Sequence, residues 1–498
     1  MERNHKTGRA SRLLLELSRP IQLTQGSPWK VILRYAAPIM LSYLLQQIYV
    51  LTDAIICGQV LPTEQVAGVN DTFALTLFFL QFAFGCTAGF SVITARYIGG
   101  GDKVGARRSF ATQIYLTLAI SLLLTVLALS LLPTLLGLIN VHPENPVVYG
   151  AARDYCFYLF LGIAAQMGYN FVCGILRSYG DSVTPLVFLV ISTALNIGLD
   201  LLFLIPLAMG PAGAAIATVT AQLLSMIGCL VYTFHHYPDL RLGREDFRIG
   251  KRDVFMHLRQ GIPLGLQFAI LSVGVIVMQG AVVRFDLTES GRMVVGTPAQ
   301  NGFGAANKLI SFLMAMYNGL ASGILGYNAQ NLGKQDYGRI RKGTLQSLVL
   351  MLILFALCLI VGLLLSIGGA YQYIFMSREK ISDATIRFGN TFLYVDILLY
   401  GVLGFLIVVR SAVQGIGKSA YVLGAGIAEL LARGLICAYL PAVINGGPID
   451  STASGAAFAA VCFGDPGAWI AASLVLLFPL CRNILGMRYE KEEKKSVG

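Results

Sequence analysis

Charged residues are scarce in this 498-residue sequence: Asp, Glu, Lys and Arg make up 13% of it, whereas 56% of the residues are hydrophobic. A soluble protein of this size needs more polar side chains to cover its surface. The composition therefore excludes a soluble protein and indicates a polytopic membrane protein. We expect no cleavable secretory signal, because the first apolar run follows a long basic segment and is itself long enough to span a bilayer.

Motifs for disulfide, metal or nucleotide chemistry are also missing. The nine cysteines form no C-x-x-C pair, and the five histidines lie in tails, loops or span edges. We therefore predict free thiols, no metal centre and no cofactor. Gly417 to Ser419 resembles the end of a phosphate-binding loop, but Ala412 occupies the position of its first glycine. The sequence predicts a protein that is not an enzyme, and a transporter driven by an ion gradient.

Twelve apolar segments are long enough to cross a bilayer, which requires about 20 helical residues. Clusters of Gly, Pro and Asp mark the turns between them. We predict an all-α polytopic membrane protein with twelve transmembrane helices in two six-helix lobes. The predicted spans are 30–57, 71–95, 110–132, 153–176, 183–205, 211–234, 260–284, 303–327, 344–368, 387–413, 419–444 and 467–487.

Basic residues alternate from one side of the predicted membrane to the other. Seven Lys and Arg precede or open span one, the loops after spans two, six and eight contain four, six and four, and the C-terminal tail contains five. The alternate loops contain Arg284, Arg292, Arg378 and Lys380. This bias predicts a plasma-membrane protein with both termini in the cytoplasm. The net charge of +11 then indicates attraction to anionic lipid rather than to nucleic acid.

An internal repeat relates the two halves of the chain through four short matches in the same order. These are Leu33–Pro38 with Leu258–Pro263, Gly85 and Gly89 with Gly319 and Gly323, Ala95–Gly99 with Ala329–Gly333, and Arg177–Ser182 with Gln414–Ser419. Because each half has six spans, the halves are predicted to be parallel repeats, an architecture of secondary transporters whose lobes rock around a cavity.

The repeat also sets the predicted domain boundaries. Each half begins with a long span, and a basic stretch separates the two. We assign the chain to a cytoplasmic N-terminal segment (1–28), an N-lobe (29–234), a cytoplasmic interlobe linker (235–259), a C-lobe (260–489) and a cytoplasmic tail (490–498).

Polar residues inside the N-lobe spans predict a small cation site. Asn196 and Asp200 are four residues apart in an apolar segment and therefore share one helix face. Asp53 in span one and Thr218 in span six fall at nearly the same depth, roughly 6–11 Å below the outer boundary by helix rise. These oxygen ligands could hold Na⁺, two poorly hydrated acids could instead retain a proton, and the cluster could bind a cationic substrate directly.

Two further groups are candidates for substrate contact and gating. Glu429 and Arg433, four apart in span eleven, are expected to neutralise each other as a structural or gating pair. Aromatic, amide and thioether side chains in both lobes could line a substrate cavity. The candidates for that cavity are Tyr43, Gln46, Tyr49, Asn170, Gln267, Met278, Met314 and Asn318.

These segments together resemble the multidrug and toxic compound extrusion (MATE) transporters of bacterial type, from about Trp29 to Arg488. The resemblance implies export of cationic or amphiphilic compounds in exchange for H⁺ or Na⁺. It also implies a cation site at Asp53, Asn196, Asp200 and Thr218 with the carbonyl of Ala214. The likeness depends on the Pro38–Asp53 part of span one, the Gly-rich basic loop after span two, Arg177–Asp181, Asn196–Asp200 and Gly213–Thr218.

The sequence departs from those family members that couple through the C-lobe, which have acids in spans seven and ten. Here span seven has Gln267 and Gln279, and span ten has only Asp396, which the repeat aligns with Leu159. We therefore predict that coupling takes place in the N-lobe. We also expect the protein to be a monomer. The alternative, a lipid-linked oligosaccharide flippase of the same superfamily, would have a large basic central cavity, whereas Lys and Arg are scarce in the middle of the spans.

Overall fold

The computed structural model describes residues 20–486, and within this range the chain forms helices and turns but no strand. Ten helices are long and apolar enough to cross a membrane, and two bent helix pairs raise the number to twelve if each pair is one span. The prediction of an all-α, twelve-span protein is confirmed. Most of the predicted N-terminal segment and the whole predicted tail lie outside the described residues.

Residues 20–236 form nine α-helices. They are α1 (Pro28–Val60), α2 (Thr63–Asp71), α3 (Phe73–Gly99), α4 (Lys103–Ser130), α5 (Leu132–Leu138), α6 (Pro146–Leu161), α7 (Ile163–Ser178), α8 (Val183–Leu204) and α9 (Gly210–His236). Prolines occupy the first turn of several of these helices, where a missing backbone N–H costs no hydrogen bond.

The second half repeats this arrangement. Its helices are α10 (Lys251–Val283), α11 (Pro298–Gly333), α12 (Tyr337–Ser366), α13 (Gln372–Phe375), α14 (Asp383–Leu398), α15 (Tyr400–Gly415), α16 (Ser419–Asn445), α17 (Gly455–Cys462) and α18 (Gly464–Pro479). Many leucines of α12 point outward, as expected for a helix that contacts lipid acyl chains.

Spans four and ten are bent, and both begin earlier than the sequence predicts. Helices α6 and α7 meet at 44°, and α14 and α15 meet at 52°. Gly162 separates α6 from α7, and a side chain at this position would overlap Val219 of α9. The break therefore coincides with a close approach of two helices. Both bends lie inside the predicted spans, whereas the helices begin at Pro146 and Asp383, before the predicted starts at residues 153 and 387.

The connection between the halves is shorter than the predicted linker of residues 235–259. Helix α9 continues to His236 and α10 already begins at Lys251. Asp253 accepts a hydrogen bond from the Gly250 backbone N–H at 3.2 Å, which stabilises the start of α10. His257 is buried and lies 2.8 Å from the Ser109 hydroxyl of α4. Lys251, Arg252 and Arg259 therefore belong to a helix that extends beyond the apolar span. The arginines from 241 to 248 precede this helix.

The internal repeat has a structural counterpart at the turns after α3 and α11. The Asp102 carboxylate accepts a hydrogen bond from Gly105 N–H at 2.8 Å and caps α4. Asp336, its partner in the repeat alignment, accepts one from Arg339 N–H at 3.0 Å and caps α12. The residue before each aspartate has a left-handed backbone. The two halves thus end one helix and start the next in the same way.

Glycines of α3 bring its backbone against α10. A Cβ atom on Gly89 would lie 2.6 Å from Cα of Gly261, and one on Gly85 would lie 2.7 Å from Cα of Gly265. Real Cβ atoms do not approach other backbones this closely, so these positions require glycine. Small residues at four-residue spacing are a common means of close helix contact in membranes.

The equivalent glycines of α11 make the corresponding contact with α1 of the other half. A Cβ on Gly319 would lie 2.5 Å from Cα of Met40, and one on Gly323 would lie 2.8 Å from Cβ of Ala36. The two contacts together form the glycine seam, defined here as Gly85, Gly89, Gly261, Gly265, Gly319 and Gly323. The seam joins the lobes over the half of these helices that the charge pattern assigns to the cytoplasmic side.

The glycine seam predicts an unequal response to two alanine substitutions. In Gly89→Ala the new Cβ meets the α10 backbone, and overpacking of this kind costs about 1–3 kcal/mol. Gly280→Ala, on the exposed side of α10, meets no atom within 4 Å. Both variants gain helix propensity. We expect a lower unfolding temperature in detergent for Gly89→Ala only; equal temperatures for the two variants would contradict the seam.

Candidate ion and substrate sites

Three helices of the N-lobe bring the predicted cation-site residues together. Asp53 comes from α1, Asn196 and Asp200 from α8, and Thr218 from α9. The Asn196 amide donates to the Thr218 hydroxyl at 3.3 Å, and the carboxyl groups of Asp53 and Asp200 are close enough to interact directly. Asn196 and Asp200 are almost fully buried, whereas Asp53 is partly exposed. Spacing within α8 places both of its polar residues on the same face.

Several oxygen atoms of this cluster have no hydrogen-bond partner among the described residues. They are Oδ1 of Asp53, Oδ1 of Asn196 and both carboxylate oxygens of Asp200. Buried acceptors without donors are costly, and two neighbouring carboxylates repel each other. A bound proton or a small cation would remove both penalties. The arrangement can therefore exchange such an ion.

The structure adds residues to this cluster that the sequence analysis did not assign to it. Tyr49 lies 3.4 Å from the Thr218 hydroxyl, so it belongs here and not to the substrate cavity. Cys57, one turn after Asp53, is near both carboxyl groups, and Tyr155 of α6 is near that of Asp53. Cys57 could have been recognised from its four-residue spacing to Asp53. Tyr155 could not, because its helix approaches only in the folded chain.

Ala214 takes a different position from the polar residues. Its side chain is buried in α9, packed in an apolar cluster with Cys57, Leu61 and Leu204. It precedes Thr218 by one helical turn, so its carbonyl belongs to the same part of α9 as the Thr218 side chain. The packing of this alanine explains the need for a small residue there.

A cavity of about 370 Å³ lies between the two lobes. Helices α1, α3 and α7 of the N-lobe line one side, and α10, α11, α14, α15, α16 and α18 of the C-lobe line the other. Five of the predicted substrate-cavity residues contribute to its wall. These are Tyr43, Asn170, Gln267, Met314 and Asn318.

Two other predicted cavity residues lie elsewhere. Gln46 borders a small side pocket of the N-lobe, which also includes Tyr43 and Asn170. Met278 was predicted in the cavity, but it is buried, and its sulfur accepts from the Cys437 thiol at 3.6 Å. Polarizable thioethers often fill irregular gaps in a core. The direction of Met278 depends on how α10 packs against α16, which its sequence position does not specify.

A buried charge network occupies the C-lobe wall of the cavity. Arg410 contacts Glu429 at 2.5 Å, Arg433 contacts Glu429 at 3.4 Å, and Arg433 contacts Asp465 at 2.7 Å. All four side chains are at least four-fifths buried. Glu429 and Arg433 do approach each other, as the sequence analysis predicted, but the shortest contact of each is with a different residue.

Comparison with known proteins identifies the family. The family model MatE matches residues 38–202 and 291–440, which is more than half of the chain. The chain belongs to the MATE family. This membership makes it a multidrug-efflux-type membrane transporter and not an enzyme, in agreement with the sequence analysis.

Relatives and solved structures agree with this assignment. The probable multidrug resistance protein YpnP of Bacillus subtilis is 28% identical over 325 residues, 64% of this chain and 68% of YpnP. The FAD transporter of Shewanella oneidensis is 26% identical over 331 residues, 65% of this chain and 70% of that protein. An outward-facing MATE transporter of the MOP superfamily has the same fold, with a TM-score of 0.80 at 20% identity, covering 95% of this chain and 99% of its own.

The sequence analysis of this MATE chain missed Arg410 and Asp465 and left Asp396 undecided. Asp396 lines the cavity near Asp465, and its Oδ1 has no hydrogen-bond partner among the described residues. A signal was available for Arg410, because a charge inside a predicted span is costly and usually functional or paired. Asp465 falls just outside predicted span twelve and gave no comparable signal.

The charge network predicts a large loss of stability when one partner is removed. Arg433→Ala leaves Glu429 and Asp465 with fewer compensating charges, and breaking a buried pair costs about 3–5 kcal/mol. Arg153 and Asp154 form an exposed pair, for which the cost is about 0–1 kcal/mol. We expect thermal unfolding in detergent at a clearly lower temperature for Arg433→Ala than for Arg153→Ala. Similar temperatures for the two variants would refute the structural role of the network.

Proposed function

We propose that this MATE transporter is a secondary antiporter that exports cationic or amphiphilic compounds in exchange for H⁺ or Na⁺. The observation that carries the proposal is the pair Asp53 and Asp200, whose buried oxygens accept no hydrogen bond from residues 20–486. An ion gradient could load and unload such a site without any nucleotide. We further propose that the protein lies in the plasma membrane as a monomer with both termini in the cytoplasm, as its basic loops indicate.

Ion and cargo would bind at separate places that share one helix. Tyr43 in the cavity and Asp53 in the cation site both belong to α1, about 15 Å apart along the helix axis. Pro38 lies inside the same helix and removes one of its backbone hydrogen bonds. A change in the charge at Asp53 could therefore alter the position of Tyr43. We propose α1 as the element that couples the two sites.

Contacts between the lobes support alternating access as the transport mechanism. The Gln330 side chain donates to the Ser178 carbonyl at 2.7 Å, and Tyr43 lies 3.4 Å from the Ser322 hydroxyl. These polar contacts and the glycine seam hold together the helix ends that we assign to the cytoplasm. The state would then be closed on that side. Separation of the glycine seam would admit cargo from the cytoplasm.

The chemistry of the cavity favours small amphiphiles over a lipid-linked oligosaccharide. Three acidic and three basic side chains line it, and most of the remaining wall is aromatic, aliphatic or amide. A flippase for a pyrophosphate-linked glycan requires a larger and more basic cavity. Relatives have been named for multidrug resistance and for FAD transport, so cargo in the family is not uniform. We propose that the charged side chains of the cavity select the cargo of this transporter.

Removal of one carboxylate tests the coupling site. In Asp200→Asn the cluster loses a negative charge but keeps its size, so we expect dye efflux driven by an imposed H⁺ or Na⁺ gradient to fall at least tenfold. Asp239→Asn is the matched control, because Asp239 is exposed and pairs with Lys103. The assay uses proteoliposomes in which the H⁺ and Na⁺ gradients are imposed separately. Efflux from Asp200→Asn equal to that of the parent would exclude the site from coupling.

A further inference from the structure

Arg177 is a cation in the cavity wall without an acidic partner. It lies in the last turn of α7 and lines both the central cavity and the small side pocket of the N-lobe. No guanidinium N–H of Arg177 donates a hydrogen bond to any residue between 20 and 486, and its Nε is fully enclosed. Other basic side chains of the cavity, Arg410 and Arg433, are paired with carboxylates.

The surroundings of Arg177 are phenolic rather than acidic. Tyr35, Tyr43, Tyr169 and Cys173 lie near its side chain. The carboxylate of Asp181, one turn further along the chain, already accepts hydrogen bonds from the Tyr237 hydroxyl and from backbone N–H groups. Tyr35 donates its hydroxyl to the backbone carbonyl of Arg177 at 2.7 Å, which fixes this part of α7. Neutral phenols near a guanidinium leave its charge uncompensated. An anion that enters the cavity would find a positive group with free donors.

The fold does not require a positive charge at this position. The internal repeat aligns Arg177 with Gln414 of α15, which occupies the equivalent place in the C-lobe and also lines the cavity. A neutral amide is therefore sufficient for the same turn in the other half. The guanidinium is an addition of the N-lobe, and its direction into the cavity indicates a role in binding.

The opposite wall of the cavity has the opposite surplus of charge. In the C-lobe, Asp396, Glu429 and Asp465 outnumber the two arginines of the network by one formal charge. The N-lobe wall contributes Arg177 alone. The cavity thus presents a positive group on one side and a net negative cluster on the other, separated by aromatic and aliphatic side chains.

We propose that Arg177 forms an anion-binding subsite, and that the cargo of this transporter is an aromatic amphiphile with a carboxylate or phosphate group as well as a cationic group. The anionic group would accept two hydrogen bonds from the guanidinium, a geometry that carboxylates and phosphates both match. The cationic group would face the acidic wall of the C-lobe. The proposal rests on the proposed function, since it treats the central cavity as the cargo site.

A matched pair of dyes tests this subsite by equilibrium binding. Rhodamine 110 has a free carboxylate, and rhodamine 123 is its methyl ester with the same aromatic cation. We measure fluorescence polarisation of each dye with the purified protein in detergent, without any ion gradient. The parent protein is expected to bind rhodamine 110 at least tenfold more tightly than rhodamine 123, and Arg177→Gln to abolish this preference while its affinity for rhodamine 123 stays the same.

Two further variants separate binding from structure. Arg177→Lys keeps the charge and is expected to retain part of the preference for rhodamine 110. Arg153→Gln removes an exposed arginine of the same lobe and is expected to behave like the parent. The proposal would be overturned if Arg177→Gln lowered the affinity for both dyes equally, or if it lowered the affinity for neither dye. If Arg177→Gln does not fold, the preference of the parent protein decides, and equal affinities for the two dyes would overturn the proposal.

The binding experiment and the efflux experiment fail independently. A dye preference that depends on Arg177, together with efflux that is indifferent to Asp200, would refute the coupling mechanism and leave the subsite in place. Efflux that requires Asp200, together with equal dye affinities, would refute the subsite and leave the antiporter in place. The two results therefore identify which proposal is wrong.

Discussion

Inside a membrane protein a charged atom without a partner is costly, and this chain meets that constraint differently in its two lobes. In the N-lobe, Asp53 and Asp200 lie close together with buried oxygens that no described residue satisfies. In the C-lobe, Arg433 and Glu429 belong to a network in which each acid contacts an arginine. The first arrangement needs an ion from outside, and the second is nearly complete on its own. Under the proposed function, the ion-coupling site and the stabilising charge network therefore lie in different lobes.

The glycine seam holds the two lobes together. Close backbone contact of α3 with α10 and of α11 with α1 joins the lobes over one half of the helices. The central cavity lies between the lobes where the side chains are longer. The side chains of Phe90, Cys86 and Met40 pack onto glycines of the seam. Separation of the lobes would therefore break close van der Waals contacts. Because α1 contacts the seam and also contains Asp53, a change at Asp53 would be transmitted to this contact under the proposed function.

Sequence was a good guide to the spans because bilayer thickness imposes a length and an apolar composition on each helix. The positions of the helix ends could be predicted less accurately. Lys251 begins α10 inside a basic stretch, and the bend at Gly162 comes from packing against Val219. Hydrophobic patterns report the membrane, whereas caps and close helix contacts depend on the folded neighbours. The predicted boundaries therefore differ from the observed ones mainly outside the apolar core of each span.

For the candidate sites too, features set by local helix geometry were predicted, and features set by packing between helices were not. The proximity of Asn196 and Asp200 could be predicted from the sequence because helix periodicity fixes their relative positions. Their similar depth in the membrane allowed the same prediction for Asp53 on another helix. Met278 was misplaced, since the rotation of α10 about its axis is set by packing. Asp465 was missed, because only the folded chain brings α18 to Arg433. Local geometry can be read from sequence spacing, but pairing between distant helices cannot.

Duplication gave the lobes one fold, and divergence at a few equivalent positions gave them different chemistry. The repeat places Arg433 where the N-lobe has Asn196, and Gln414 where it has Arg177. At each of these two positions one lobe has an arginine and the other has a neutral amide. Both lobes nevertheless keep the helix caps at Asp102 and Asp336. A symmetric cavity would treat both ends of a cargo molecule alike. The exchanged charges make the two walls unequal, so a cargo with two different ends would have one preferred orientation between the lobes.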